Sequence, residues 1–178
     1  RIIRFRRALS PKTSVITHGY DPERERTRVP SKPNEPLKII HAGSLLWEAA
    51  AYFAVFLEAA QICHDKGYRD VNILMYGTNP YDVLPKTAFP LASQFVEYRG
   101  YVSENELYQT MSECDAAAVF FEKSVGLSTK IFDYMAADLP VLAIAPDGEL
   151  TDFLATTGLP TPSPLNRHEA VEAIQEIS

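Results

Sequence analysis

Residues 116–146 read "AAAVFFEKSVGLSTKIFDYMAADLPVLAIAP", and their rhythm decides the fold. "AAAVFF" is a short apolar run, "STKIFDYMAA" has helical spacing, and "LPVLAIAP" is a second apolar run. Neither run alternates polar with apolar residues, so each strand is buried on both faces, as in a parallel sheet covered by helices on two sides. A strand, a crossover helix and a parallel strand form one βαβ unit.

The same rhythm extends in both directions. Upstream lie "KIIHAG" (38–43) as a strand ending in glycine and "WEAAAYFAVFLEAAQICHDKG" (47–67) as a long helix stopped by Gly67. "VNILMYG" (71–77) and "QFVEYRGYV" (94–102) read as strands, and "ENELYQTMSECDA" (104–116) as a helix for which Ser103 and Glu106 make a capping box. Downstream, "GELTDFLATTG" and "NRHEAVEAIQEI" read as helices, the second capped by Asn166. The fold class is therefore α/β, a Rossmann-like parallel sheet with helices on both faces. Trp47, Tyr52 and Phe53 read as packing residues of the long helix.

The 178 residues fit one domain. Residues 1–13, with "RIIRFRRAL", read as a basic linker or entry helix, and "SVITHGYD" as a brief strand; residues 14–178 form the domain, interrupted by a polar, proline-punctuated loop at 21–37. The chain starts at Arg1 and not Met, which leads us to expect a piece of a larger protein. No apolar run approaches the roughly 20 residues of a membrane span, and the N-terminus lacks a signal-peptide core; a cytoplasmic location is expected. Cys63 and Cys114 fall in helical stretches without metal-ligand spacing and read as reduced structural thiols.

Charge is uneven. Residues 1–40 carry ten Lys/Arg against four Asp/Glu, and the remainder seven against nineteen. An acidic body argues against nucleic acid as a partner. It also makes the few cations of the body informative.

In a doubly wound sheet, ligands sit beyond the carboxyl ends of the strands. The helix that opens at "STK" puts Lys130 in its first turn, where a cation opposes the helix dipole. A phosphate held on the amides around Ser128 and Thr129, next to the Gly126 turn, would justify the lysine. Asp133 shares that face and could accept the paired hydroxyls of a ribose. The competing reading is an ordinary surface pair worth a few tenths of a kcal/mol. Spacing alone leaves the two open. Lys123 and Arg99 lie in loops on the same edge, and Tyr101 could stack on a base. His18, His41, His64 and His168 each stand alone and read as structural or surface residues. No Asp-x-Asp pair and no G-x-G-x-x-G follows a strand, so neither a metal nor a dinucleotide cofactor is expected.

"VITHGYD", "IIHAGSL", "FVEYRGYVSENELYQTMSECDAAAVF" and above all "STKIFDYMAADLPVLAIA" resemble successive segments of the C-terminal half of GT-B glycosyltransferases of family four. The resemblance covers about Ser14 to Ile177. It implies a donor-binding domain of a retaining glycosyltransferase that moves a sugar from a nucleotide diphosphate sugar to an acceptor, with polysaccharide biosynthesis as a setting. It also implies an N-terminal domain that supplies the acceptor site, any catalytic base and any peripheral membrane association, so that this chain alone is inactive. Asp133 stands at the family's ribose-binding acid and Lys130 at the lysine of the same motif. The implied substrate-binding set is Lys130, Asp133, Ser128, Thr129, Gly126, Gly43, Arg99, Tyr101, Val102 and Glu122, the Arg99 to Val102 backbone taking the base edge. Three features depart from the pattern, the first being that Asp133 is one methylene shorter than the family's usual glutamate. Val125 replaces a second glutamate, and "GSLLWEAA" after Gly43 carries no cation. These departures keep open a non-catalytic nucleotide-sugar-binding or interaction module, or a domain that binds no nucleotide.

Overall fold

A computed structural model describes residues 28–123, 127–156 and 165–177. The readings of the basic entry helix and the brief strand at 14–21, and the positions Val125 and Gly126, lie outside the described residues.

Five parallel strands form one sheet: β1 (Leu37–Gly43), β2 (Val71–Gly77), β3 (Val96–Gly100), β4 (Ala116–Phe120) and β5 (Val141–Ile144). Their order in space is β3-β2-β1-β4-β5. The chain steps outward from β1 to β3, then returns to lay β4 against the other side of β1. That reversal makes the gap between β1 and β4 the topological switch point of the sheet.

Among the described residues six α-helices cover it: α1 (Ala50–Asp65), α2 (Phe89–Phe95), α3 (Glu104–Ser112), α4 (Thr129–Ala136), α5 (Glu149–Ala155) and α6 (Arg167–Ile177). Because strand side chains alternate between faces, Leu37, Ile39, Ile73, Met75, Ala118 and Phe120 pack under α1, α2 and α6, while Ile40, Ala42, Leu74, Ala117, Val119 and Val141 pack under α3, α4 and α5. The first layer centres on Phe53 and Phe56, whose rings meet Phe120 at 4.9 and 5.6 Å in edge geometry. Truncating either buried ring to alanine removes about 3–5 kcal/mol.

Caps follow the sequence. Ser103 Oγ accepts from the Glu106 amide at 3.3 Å, and Asn166 Oδ1 from the amides of His168 and Glu169 at 3.1 and 3.3 Å. Gly67, with φ +67°, ends the turn after α1. Both cysteines are buried and free, and burial pushes the Cys114 thiol up to about 12.

Several boundaries differ from the sequence reading: the helix read over 104–116 ends at Ser112, so Cys114 lies beyond it in the connection to β4. The polar loop ends one residue early, because Leu37 already pairs with Val71. Gln94 and Phe95 belong to α2 and not to β3: Phe95 is buried under the sheet from a helix that "FPLASQF" opens with proline in its first turn. Trp47 is not a core residue. It lies in a 3₁₀ turn (Trp47–Ala49) that precedes α1, ahead of the first inward position, and is 75 % exposed, whereas Phe53 is buried and Tyr52 packs partly against the core.

The fold also ties its lower edge. Asp115, buried, accepts from the amides of Ser31 and Lys38 at 2.8 Å each, with the Arg69 guanidinium 3.8 Å away. These bonds fix the segment before β1 against the start of β4.

Candidate functional site

At the switch point the carboxyl ends of β1 and β4 open into a cavity of about 490 Å³. Its walls come from three places. His41 to Ser44 are the end of β1 and the residue after it, Leu46, Glu48 and Ala49 lead into α1, and Val119 to Lys123 are the end of β4 and the residues after it; Ser128 and Lys130 close it from the start of α4. The volume falls in the range of about 300–1,000 Å³ typical of small-ligand sites.

The rim at β1 and β2 is set by glycine. Gly43 and Gly77 pair in register at the strand ends with φ of +140° and +94°. A β-carbon on Gly77 would run into the carbonyl oxygen of Gly43, so the two backbones approach as only glycine permits. The Thr78 amide then donates to Gly43 O at 3.1 Å, and the Leu45 amide to Thr78 Oγ1 at 3.2 Å, which holds the turn after β1 in place.

The α4 side is held from below. Tyr134, wholly buried, accepts from the Ala42 amide at 2.9 Å, tying the helix to the last residues of β1. Burial pushes its phenol well above the usual range, so it stays protonated. Ser128 occupies the N-cap position in extended conformation, and its own side chain makes no cap hydrogen bond. The first-turn amides of Thr129 and Lys130 therefore face the cavity end with a partial positive charge.

Lys130, in that turn, meets Asp133: Nζ donates to Oδ2 at 3.0 Å. Tyr108 of α3 donates to the other carboxylate oxygen, Oδ1, at 2.6 Å. The carboxylate answers the misplaced cation, and the tyrosine aims the carboxylate. Two of the roughly four lone-pair directions of Asp133 are thus taken, and two remain for incoming donors.

Of the residues singled out from sequence, Gly43, Glu122, Ser128 and Lys130 line the cavity, Thr129 opens α4 beside them, and Asp133 adjoins through its bond to Lys130. Lys123 joins the wall. Arg99, Tyr101 and Val102 do not line it. Arg99 donates to Glu97 at 2.9 Å and to Tyr76 Oη at 3.3 Å; these bonds hold its guanidinium charged and depress the Glu97 carboxyl. Tyr101 is 87 % exposed, and Val102 packs on the α3–α4 layer. Sequence reasoning overlooked Tyr108, whose apolar helical spacing hides a hydroxyl that reaches 25 residues down the chain. It also set aside His41, which the structure puts in the cavity wall.

The sequence profile described as "Glycosyl transferases group 1" matches residues 36–177. No curated protein matches significantly. Among solved structures, WaaG, a glycosyltransferase involved in lipopolysaccharide biosynthesis, superposes with a TM-score of 0.66 at 14 % identity over 99 % of this chain and 50 % of its own. Sucrose-phosphate synthase from Thermosynechococcus elongatus gives 0.61 at 18 % identity over 98 % and 47 %. The catalytic domain of cholesterol-α-glucosyltransferase from Helicobacter pylori gives 0.58 at 18 % identity over 80 % and 86 %. The chain spans about half the length of the first two. The shared feature at these identities is the fold, a GT-B type α/β sheet. Among the described residues no helix is long and apolar enough to cross a membrane.

Proposed function

From the premise that this chain belongs to the group 1 glycosyl transferases, we propose that it is the donor-binding half of a retaining enzyme that transfers a sugar from a nucleotide diphosphate sugar. The observation that carries this is the placement of Ser128 and Lys130 in the wall of the switch-point cavity, with Asp133 bonded to Lys130 at 3.0 Å. The α4 amides and the Lys130 ammonium would receive the diphosphate, and the open directions of Asp133 the ribose hydroxyls. In transfer, the same cation and dipole would stabilise charge on the departing diphosphate, and the walls of the cavity would hold the sugar in place for attack. The acceptor and any base would come from outside these residues, in keeping with relatives twice as long. UDP and GDP are the ligands to titrate. Amide resonances of residues 127–133 should move first, with micromolar-range calorimetric binding that survives EDTA; shifts confined to the β3 edge would remove the basis for the assignment.

A second reading, a binding module with a degenerate donor site, draws on the cation-free turn after Gly43 and on Glu48, an acid in the cavity wall. Sugar transfer by the full-length protein, lost in Lys130→Ala, would exclude it.

A further inference from the structure

His41, a residue of the cavity wall, carries a ring nitrogen that has no hydrogen-bond partner among the described residues. His41 lies on β1 two residues before Gly43, 5 % exposed, with its ring tilted against Phe120 at 5.6 Å. Its Nδ1 lies 2.9 Å from the carbonyl oxygen of Ala118 on the neighbouring strand. A carbonyl only accepts, so the proton sits on Nδ1 and Nε2 presents a bare lone pair. Nε2 is buried and without a partner, an arrangement that folded proteins rarely leave unexplained.

The chemistry of that atom excludes some ligands. Burial holds the imidazole neutral, lowering its tendency to take a second proton. A neutral imidazole whose one N–H is already spent cannot donate to a phosphate, which has acceptors only. The groups of the same cavity that can are the ammoniums of Lys130 at the start of α4 and of Lys123 after β4, with the first-turn amides of α4 beside them. The wall is thus divided between a cationic part suited to anions and an inner part that needs a hydrogen-bond donor. Leu46, Ala49 and Phe120, which also line the cavity, carry no hydrogen-bond donor in their side chains.

We infer that His41 is a specificity-determining residue of the donor site, its Nε2 accepting a hydrogen bond from a hydroxyl of the sugar while the diphosphate lies toward Lys130 and α4. The inference rests on the donor-site reading above. It differs from that reading in naming the atom that reads the sugar and the sense of the bond. A hydroxyl at this point is recognised and a hydrogen in its place is penalised, because the buried acceptor then stays unpaired.

The test compares the affinities of UDP and GDP with those of UDP-glucose, UDP-galactose, UDP-N-acetylglucosamine and GDP-mannose, on the wild-type chain and on His41→Phe and His41→Gln. The phenyl ring keeps the shape and removes the acceptor, and the glutamine amide can restore one. For the sugar that wild type binds best, the ratio of nucleotide-sugar to nucleotide affinity should fall about five- to tenfold in His41→Phe and recover in part in His41→Gln, with UDP or GDP affinity unchanged. A ratio unchanged in His41→Phe overturns the inference and leaves the donor-site reading standing. Absence of UDP and GDP binding to wild type overturns both. Should the phenylalanine variant not fold, the imidazole nitrogen spectrum of wild type decides: the Nε2 resonance should move on adding the nucleotide sugar and stay put with the nucleotide alone, and equal behaviour with both ligands overturns the inference.

Discussion

Tyr108→Phe deletes one oxygen atom and tests how Asp133, the proposed ribose-binding acid, is held. The hydroxyl donates to Asp133 Oδ1 at 2.6 Å, and Tyr108 itself is buried. A hydrogen bond to an ionised carboxylate contributes about 1.5–3 kcal/mol when shielded from water. Asp133 keeps part of its side chain exposed at 24 %, so water can replace the lost donor and the lower end of that range applies, about 1.5 kcal/mol. For a chain of this length that corresponds to a fall in Tm of roughly 3–6 °C. Function should change in a definite direction too. With two lone-pair directions still open on Asp133, the tyrosine does not compete with a ribose; it aims the carboxylate, and its loss should weaken uridine and UDP binding alike, by about threefold to tenfold. Differential scanning calorimetry gives the first quantity and isothermal titration the second. Tighter uridine binding in Tyr108→Phe would show instead that the hydroxyl occupies the ribose's place.

Lys130→Ala should weaken UDP while hardly changing uridine, whereas Asp133→Asn should weaken both, each by about tenfold or more if the charge-assisted contacts form; equal, negligible losses in calorimetry would return the pair to an ordinary surface contact. Gly77→Ala places a β-carbon against Gly43 O at a φ of +94°, so chemical denaturation should show a loss above the roughly 1 kcal/mol of left-handed strain alone, and a loss below that would mean that the strand ends can part freely. His41, neutral in the fold, has a folded-state pKa below its unfolded one, so the unfolded chain takes up more protons in acid: its contribution to stability is complete above about pH 6.5 and is lost as the pH falls from there through the folded-state pKa. His64, raised by its bond to Asp70, acts in the opposite sense from the surface. Stability measured from pH 7.5 to 5 should therefore decline less steeply in His41→Phe than in wild type, and identical slopes would contradict the assignment of a buried neutral ring.

The α/β class can be read along the chain, because continuous apolar strands buried on both faces and helices of period 3.6 leave no other economical layering. The sequence by itself located the "STKIFDYMAA" helix with Ser128 to Asp133 at its start, since Lys130 in a first turn is a local contradiction that can be read from neighbours in the chain. It also placed Ser103 and Asn166 as caps, which act within three residues. What lies beyond a few residues was decided by the tertiary structure. That β4 docks beside β1 and not beside β3 follows from packing across the whole sheet, and this choice alone brings His41 and Gly43 to the same cavity as Lys123 and Lys130. The turning of Trp47 to solvent depends on a 3₁₀ turn that the apolar spacing of α1 conceals. The bond from Tyr108 to Asp133 joins two helices whose approach is set by the residues between them and the sheet, and His41 Nε2 is an acceptor because Ala118 takes the proton on the other nitrogen, and unpaired because the described residues around it bring it no donor. Local chemistry can be read along the chain, but satisfaction of a buried polar atom is a property of all its neighbours in space.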